Sequence, residues 1–376
     1  MKNKIYVSRP LSPALEEFIP YLESIWKSSI FTNKGKYHQK FEEELSKYLG
    51  VKHISLVSNG TLALMVAIKA LNLKKEIITT PFTYIATANS IKWAGAIPVF
   101  VDIDPTTFNI DPLQIKKAVT KNTCGIMPVH AYGNIADVKD INKIAKENNL
   151  KIIYDAAPCF GVEDNIGSIL RHGDISTLSF HATKVLNTFE GGAIISKNKK
   201  IKDEVDSIIN FGVNNNERFI NIGLNAKMSE VNAAFGLVQL KHIKKSIESR
   251  KNIFNRYFNS LKSVKGIEII TSNNEDIKSN YSYFPILIKK SFPLSRDALL
   301  KELEKEGIYA KKYYYPLITN LDIYSDNKSS KLSLKNAEYS SQRVLCLPIY
   351  SDLKNEDVDR VIFSISKNIQ VLKRDK

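Results

Sequence analysis

Residues 53–71, HISLVSNGTLALMVAIKAL, decide the fold. A β-branched run ends at Ser58, Asn59-Gly60 makes a tight turn, and Thr61 opens an apolar helical stretch. Strand, turn and helix make one βα unit. The unit recurs outward from here: EIITT (76–80) precedes TYIATANSIKWAG (83–95), and IPVFVDI (97–103) follows. TCGIMPVH (123–130) precedes DVKDINKIAKENN (137–149), LKIIYDAA (150–157) follows, and GDISTLSF (173–180) and GGAIISK (191–197) close the series. This alternation predicts an α/β fold with a mostly parallel sheet. Ligands of such sheets sit at the carboxyl ends of the strands, so the residues just after each run carry the functional information.

Residues 227–262 keep apolar positions three and four apart without Pro and predict one long helix. YSYFPILI (281–288) then reads as a strand and SRDALLKELEKEG (295–307) as an amphipathic helix. The expectation is a large domain over 1–245 and a smaller α/β domain over 246–376. Apolar residues make up 43% of the chain and charged residues 25%, ordinary globular values. No run of 18 apolar residues occurs, so no membrane span is expected. The start, MKNKIYVSRPLSP, lacks the apolar core of a secretory signal. Cys124, Cys159 and Cys346 are too scattered for a zinc site or a disulfide set, which suits a reducing cytoplasm. The net charge of +15 is spread along the chain without a Lys/Arg block or a basic recognition helix. That disfavours nucleic acid as a partner and remains compatible with a phosphate-bearing small molecule.

Three strand ends carry chemistry. The free N–H groups at the start of the helix at Thr61 suit a phosphate, or the turn is a simple cap. No Walker or dinucleotide-binding glycine pattern is present. Asp155 follows the run KIIY and either caps a helix or meets a cation that must stay charged. Lys184 follows the run STLSF; alone it would be a surface lysine, but at a shielded strand end it is a nucleophile toward carbonyls. Ser179 adds a hydroxyl at the same strand end, and Gly191-Gly192 let the backbone turn directly afterwards. Together these are the parts that pyridoxal 5′-phosphate (PLP) requires: a phosphate cradle, a carboxylate for the pyridinium nitrogen and a lysine. Phe82 offers an apolar face for the flat ring.

The ordered motifs SNGTLAL (58–64), PFTYIATANSI (81–91), PVFVDIDP (98–105), PVHAYGN (128–134), IIYDAAPCFGVE (152–163), SFHATKVLNTFEGGAI (179–194), NAKMSEVNAAFGLVQL (225–240) and LPIYSDL (347–353) resemble the DegT/DnrJ/EryC1/StrS sugar aminotransferases over nearly the whole chain. The segments LSPALEEFIPYLESIW (11–26) and FTNKG (31–35) look most like the branch that makes dTDP-4-amino-4,6-dideoxyglucose. The resemblance implies a PLP-dependent transferase of fold type I, with Lys184 as the Schiff-base lysine and Asp155 paired to the ring nitrogen. It further implies Phe82 stacked on the ring and Gly60, Thr61 and Ser179 on the phosphate. Asn225 resembles the asparagine that family members lend to the neighbouring subunit's phosphate, which implies a homodimer with shared active sites. His181 would face the substrate or brace the reactive loop, and Tyr314 and His130 would face the substrate or pack.

One departure stands out. The family has His or Gln three residues after the aspartate, and here Pro158 has neither a side-chain donor nor an N–H. Cys159, without a base beside it, reads as a small buried residue. The implied reaction takes the amino group of L-glutamate to the 4-keto carbon of dTDP-4-keto-6-deoxyglucose, supplying O-antigen or another surface polysaccharide. Amination at C3 of a 3-keto-6-deoxy sugar stays open as the alternative. A family dehydratase would carry histidine in place of Lys184, and a DNA-binding regulator rests on charge alone.

Overall fold

The computed structural model describes residues 3–214, 216–271, 276–324 and 332–374. The β-branched runs form strands β1 (Ile54–Val57), β2 (Glu76–Thr79), β3 (Ile97–Phe100), β4 (Thr123–Ile126), β5 (Lys151–Asp155), β6 (Ile175–Ser179) and β7 (Gly192–Ser196). They pair into one seven-stranded sheet in the order β1-β7-β6-β5-β4-β2-β3. Every pairing is parallel except those of β7, which runs antiparallel to both β1 and β6. The α/β class expected from the sequence is the class observed.

Side-chain alternation sends the sheet's residues to its two faces. On β7, Ala193 and Ile195 pack with Leu56 and Leu178 against helices α1 (Leu15–Ser28), α2 (Lys36–Leu49) and the first half of the long helix below. Ile194 points the other way, with Val57, Ile153 and Ile175, against α3 (Gly60–Ala70). Each fully buried aliphatic side chain stabilises by about 1.5–3 kcal/mol. Further helices are α4 (Ala86–Trp93), α5 (Val138–Glu147), α6 (Lys199–Ile208) and α7 (Glu230–Leu261). Caps set several of their starts: Asn59, Asp137, Asn198 and Ser229 accept from N–H groups of the first turns of α3, α5, α6 and α7. The long helix therefore begins at Glu230, three residues later than its apolar spacing suggested, because Ser229 caps it.

Gly35, the residue before helix α2, offers no side-chain cap. The buried Glu230 carboxylate takes that place, accepting from the N–H groups of Tyr37 (2.7 Å) and His38 (2.8 Å). Beyond residue 250, α7 enters a second core through Ile253, Tyr257 and Leu261. That core is built on the antiparallel strands β8 (Ile267–Ile269), β9 (Phe284–Ile288) and β10 (Val344–Leu347), with α8 (Arg296–Lys305) and α9 (Asn355–Arg374) over them. Ile5, near the N-terminus, also packs here, where Ile5–Tyr6 pairs with Ile308–Tyr309. Among the described residues no helix is long and apolar enough to cross a membrane.

Candidate active site

The carboxyl ends of β1, β2, β5 and β6 open on a cavity of about 730 Å³. Its lining includes Gly60, Thr61, Thr83, Tyr84, Asp155, Pro158, Ser179, His181, Lys184 and Glu190 from the sheet side, and Tyr283, Tyr313 and Tyr314 from the C-terminal part. This is where an open α/β sheet binds ligands. Among the described residues no group of three or more His, Cys, Asp or Glu is placed to hold a metal ion.

One end of the cavity is the start of α3. Asn59 Oδ1 accepts from the Leu62 N–H at 2.8 Å, and the Asn59 carbonyl accepts from Ala63. The Gly60 and Thr61 N–H groups belong to the first turn and have no intrahelical partner. A Cβ on Gly60 would lie 2.9 Å from the Ser179 Cβ and 3.2 Å from its Oγ. Gly60 is the first residue of the helix, so it is needed for space and not for a turn. Gly192 has the same reason, since its added Cβ would meet the Asn59 carbonyl at 2.9 Å. Two N–H groups and a serine hydroxyl thus converge at the positive end of a helix, a site that suits phosphate.

Lys184 sits half-buried in the loop between β6 and β7. That loop is closed at its base: the Phe180 N–H donates to the Gly191 carbonyl (2.8 Å) and the Thr188 N–H to the Phe180 carbonyl (2.9 Å). Asn232 of α7 fastens it, donating from Nδ2 to the carbonyls of Thr188 (2.6 Å) and Glu190 (2.9 Å). In the same loop His181 Nδ1 accepts from the Thr183 N–H at 3.2 Å, which leaves Nε2 toward Glu190, 3.7 Å away.

Asp155 is 5% exposed. Burial pushes its carboxyl above the usual range, opposed by donors from Thr87 and Ala157 and by the Lys184 ammonium. Thr87 Oγ1 donates to Oδ2 at 2.7 Å and the Ala157 N–H to Oδ1 at 3.2 Å. A buried carboxylate in this state is stabilised by a cation brought to it. Orphan N–H groups at one end, such a carboxylate and a lysine fit PLP, whose phosphate, pyridinium nitrogen and aldehyde need those three partners.

Of the residues singled out in the sequence, Gly60, Thr61, Asp155, Ser179, His181, Lys184 and Tyr314 line this one cavity. Phe82 does not. It is 0% exposed, with its ring edge-on to Phe108 (5.4 Å), Tyr132 (6.2 Å) and Tyr314 (5.7 Å). The Phe82 N–H donates to Thr80 Oγ1 (3.1 Å), a bend that turns the ring inward and leaves Tyr84, 64% exposed, at the cavity. Asn225 also lies outside the cavity of its own chain, exposed and bridged to Asn210. His130 is buried and stacked on Tyr154 (4.8 Å), and burial lowers it to about 3. Burial raises the Cys159 thiol well above its ordinary value, which suits an inert packing residue. Pro158 lines the cavity while its carbonyl faces away, accepting from Asn280 Nδ2 at 2.7 Å and lying 2.7 Å from Ser282 Oγ. Thr83, Thr87, Tyr84 and Glu190 escaped the sequence reading, although the four-residue Thr83–Thr87 spacing was visible. Tyr283 and Tyr313 had no local signal.

A model of the DegT/DnrJ/EryC1/StrS aminotransferase family matches residues 14–366. The chain is similar to two proteins named dTDP-4-amino-4,6-dideoxy-D-glucose transaminase. It is 50% identical to that of Shigella dysenteriae over 365 residues, 97% of this chain and 99% of that protein. It is 46% identical to that of Escherichia coli over 360 residues, 95% of this chain and 96% of that protein. Its fold is similar to that of DesI, solved in the presence of its TDP-sugar product, with a TM-score of 0.92 and 28% identity over 100% of this chain and 97% of DesI. The chain belongs to the DegT/DnrJ/EryC1/StrS aminotransferase family, whose members depend on PLP.

Proposed function

We propose that this aminotransferase moves the amino group of L-glutamate to C4 of dTDP-4-keto-6-deoxyglucose, giving dTDP-4-amino-4,6-dideoxyglucose. The observation that carries the reading is end-to-end identity of 50% and 46% to two proteins bearing that product's name. The cavity supplies the matching chemistry. Bound PLP provides the electron sink that stabilises negative charge at the carbon losing its proton. Gly60, Thr61 and Ser179 hold its phosphate, Asp155 faces the ring nitrogen, and Tyr84, in place of Phe82, lies against the ring. Lys184 would anchor the group, take the proton from the donor's carbon in the first half-reaction and support the reverse transfer to C4 of the acceptor in the second. His181 and Tyr314 face the sugar. The chain's excess of cations suits two anionic substrates.

The same proposal assigns cofactor binding to residues 1–245 and the substrate-side tyrosine wall to 246–376. It includes a homodimer in which Asn225 serves the neighbouring subunit's phosphate. Exposed Phe211, Phe219, Ile220 and Ile222 in the segment before Asn225 support it, since an apolar patch of this kind is stabilised by being covered. Cytoplasmic location and supply of O-antigen complete the reading, with three free cysteines in support of the former.

The test is turnover of purified protein with PLP, L-glutamate and dTDP-4-keto-6-deoxyglucose, with the product solved by NMR. An equatorial amine at C4 supports the proposal. Amine only at C3, from a 3-keto isomer, would move the enzyme to the other regiochemistry.

A further inference from the structure

Two threonines outside the expected site residues stand in line with the aspartate. Thr83 lies in the bend before α4 and Thr87 in its first turn, and their hydroxyls meet side by side. Thr87 is 0% exposed and its Oγ1 donates to Asp155 Oδ2 at 2.7 Å; Thr83 Oγ1 is 3.0 Å from Thr87 Oγ1 and lines the cavity. We propose that Thr87 is the positioning residue of Asp155 and that Thr83 orders its proton, making a two-hydroxyl relay from the cavity wall to the carboxylate. The inference rests on the reading of the cavity as the cofactor site.

The direction of the relay follows from counting protons. An ionised carboxylate only accepts, and each hydroxyl has one proton to give. Thr87 spends its proton on Asp155, so Thr83 must donate to Thr87 and presents only lone pairs to the cavity. If Asp155 takes up a proton, it donates to Thr87, Thr87 donates to Thr83, and Thr83 turns its O–H outward. A positively charged N–H beside Asp155 selects the first state, and the ordered relay in turn holds Oδ2 in place. The groups that bear on the aspartate's charge are the Lys184 ammonium and the neutral Tyr314 and Cys159 side chains. Among the described residues Thr87 and Ala157 are the donors to the carboxylate. Removing one of two donors from a buried carboxylate leaves it half-satisfied.

The experiment compares wild type, Thr87→Val, Thr87→Ser and Thr83→Val as holoenzymes. It reads the PLP dissociation constant, the pH midpoint of the cofactor's visible band, and kcat against KM for L-glutamate. For Thr87→Val we expect PLP binding weakened about tenfold or more, a displaced pH midpoint and lowered kcat. KM should hold within about twofold, and Thr87→Ser should recover all three readouts. Thr83→Val, at the cavity surface, should shift the same readouts less, and it carries the test if Thr87→Val does not fold. Unchanged binding and pH midpoint in the Val variants would overturn the relay, as would a Ser variant no better than Val. Wild-type protein that takes up no PLP would instead sink the cofactor reading beneath it.

Discussion

Gly60 and Ser179 approach so closely that no side chain fits between them: a Cβ on Gly60 would lie 2.9 Å from the Ser179 Cβ. The contact brings the first turn of α3 against the end of β6, and with it two free N–H groups beside a hydroxyl. Both partners sit on regular elements, so neither can yield without moving backbone.

Gly60→Ala should therefore push the helix start away from β6. Lost charge-assisted bonds at this level weaken PLP binding about tenfold or more, while the fold persists. Titration of apoprotein with PLP against a thermal melt separates the two effects. Equal affinity in the variant would remove the cradle from the account.

Phe82 and Tyr84 should answer differently to truncation. Phe82→Ala opens a cavity in the core and should cost about 3–5 kcal/mol of stability. Tyr84→Ala should leave stability nearly unchanged and weaken PLP by about 2- to 12-fold, the worth of an aromatic stacking contact. Urea denaturation and cofactor titration on both variants check the pair. A reversed pattern would return Phe82 to the ring.

Asn280 ties the aspartate loop to the segment that leads into β9. It is buried, and its Nδ2 donates to the carbonyls of Pro158 (2.7 Å) and Phe160 (2.9 Å). Tyr283, three residues on, lines the cavity. Asn280→Ala removes the donor from the Phe160 carbonyl, at about 1–3 kcal/mol, while Ser282 Oγ still reaches the Pro158 carbonyl. We expect lower stability in urea together with a fall in kcat. Loss of stability alone would limit Asn280 to a structural role.

His130 sets an acid limit. Its Nδ1 accepts from the Ala136 N–H at 3.0 Å, and burial, with a smaller contribution from His172, lowers it to about 3 from an ordinary 6.5. Below pH 6.5 the unfolded chain takes up a proton that the folded chain refuses, so stability falls as pH falls toward 3. The slope approaches about 1.4 kcal/mol per pH unit, or about 1.5 kcal/mol between pH 6.5 and 5. His130→Asn keeps an acceptor for Ala136 and should lose that part of the slope. Parallel slopes in the two proteins would exclude His130 as the cause.

Much of the site was legible because Asp155, Ser179 and Lys184 stand directly at or after strand runs, where open α/β sheets bind ligands. The reverse direction of β7 was not legible. GGAIIS reads as a strand either way, and its course depends on the loop that closes at Phe180 and Gly191. That Tyr84 and not Phe82 lines the cavity was not legible either. The strand ends at Thr79, and the bond from the Phe82 N–H to the Thr80 hydroxyl bends the chain just beyond it, which no strand or helix period marks. Tyr283, Tyr313 and Asn280 arrive from the far side of α7, more than a hundred residues beyond Asp155. No local pattern marks them, because only packing of the second core against the sheet brings them in.

In the proposed reaction Lys184 is the residue that holds PLP in this cavity. Reduction of the PLP-loaded protein with borohydride, followed by proteolysis and mass spectrometry, tests it most directly. One phosphopyridoxyl adduct is expected, on the peptide carrying Lys184, absent from Lys184→Ala. An adduct on another lysine, or one that persists in Lys184→Ala, would contradict it.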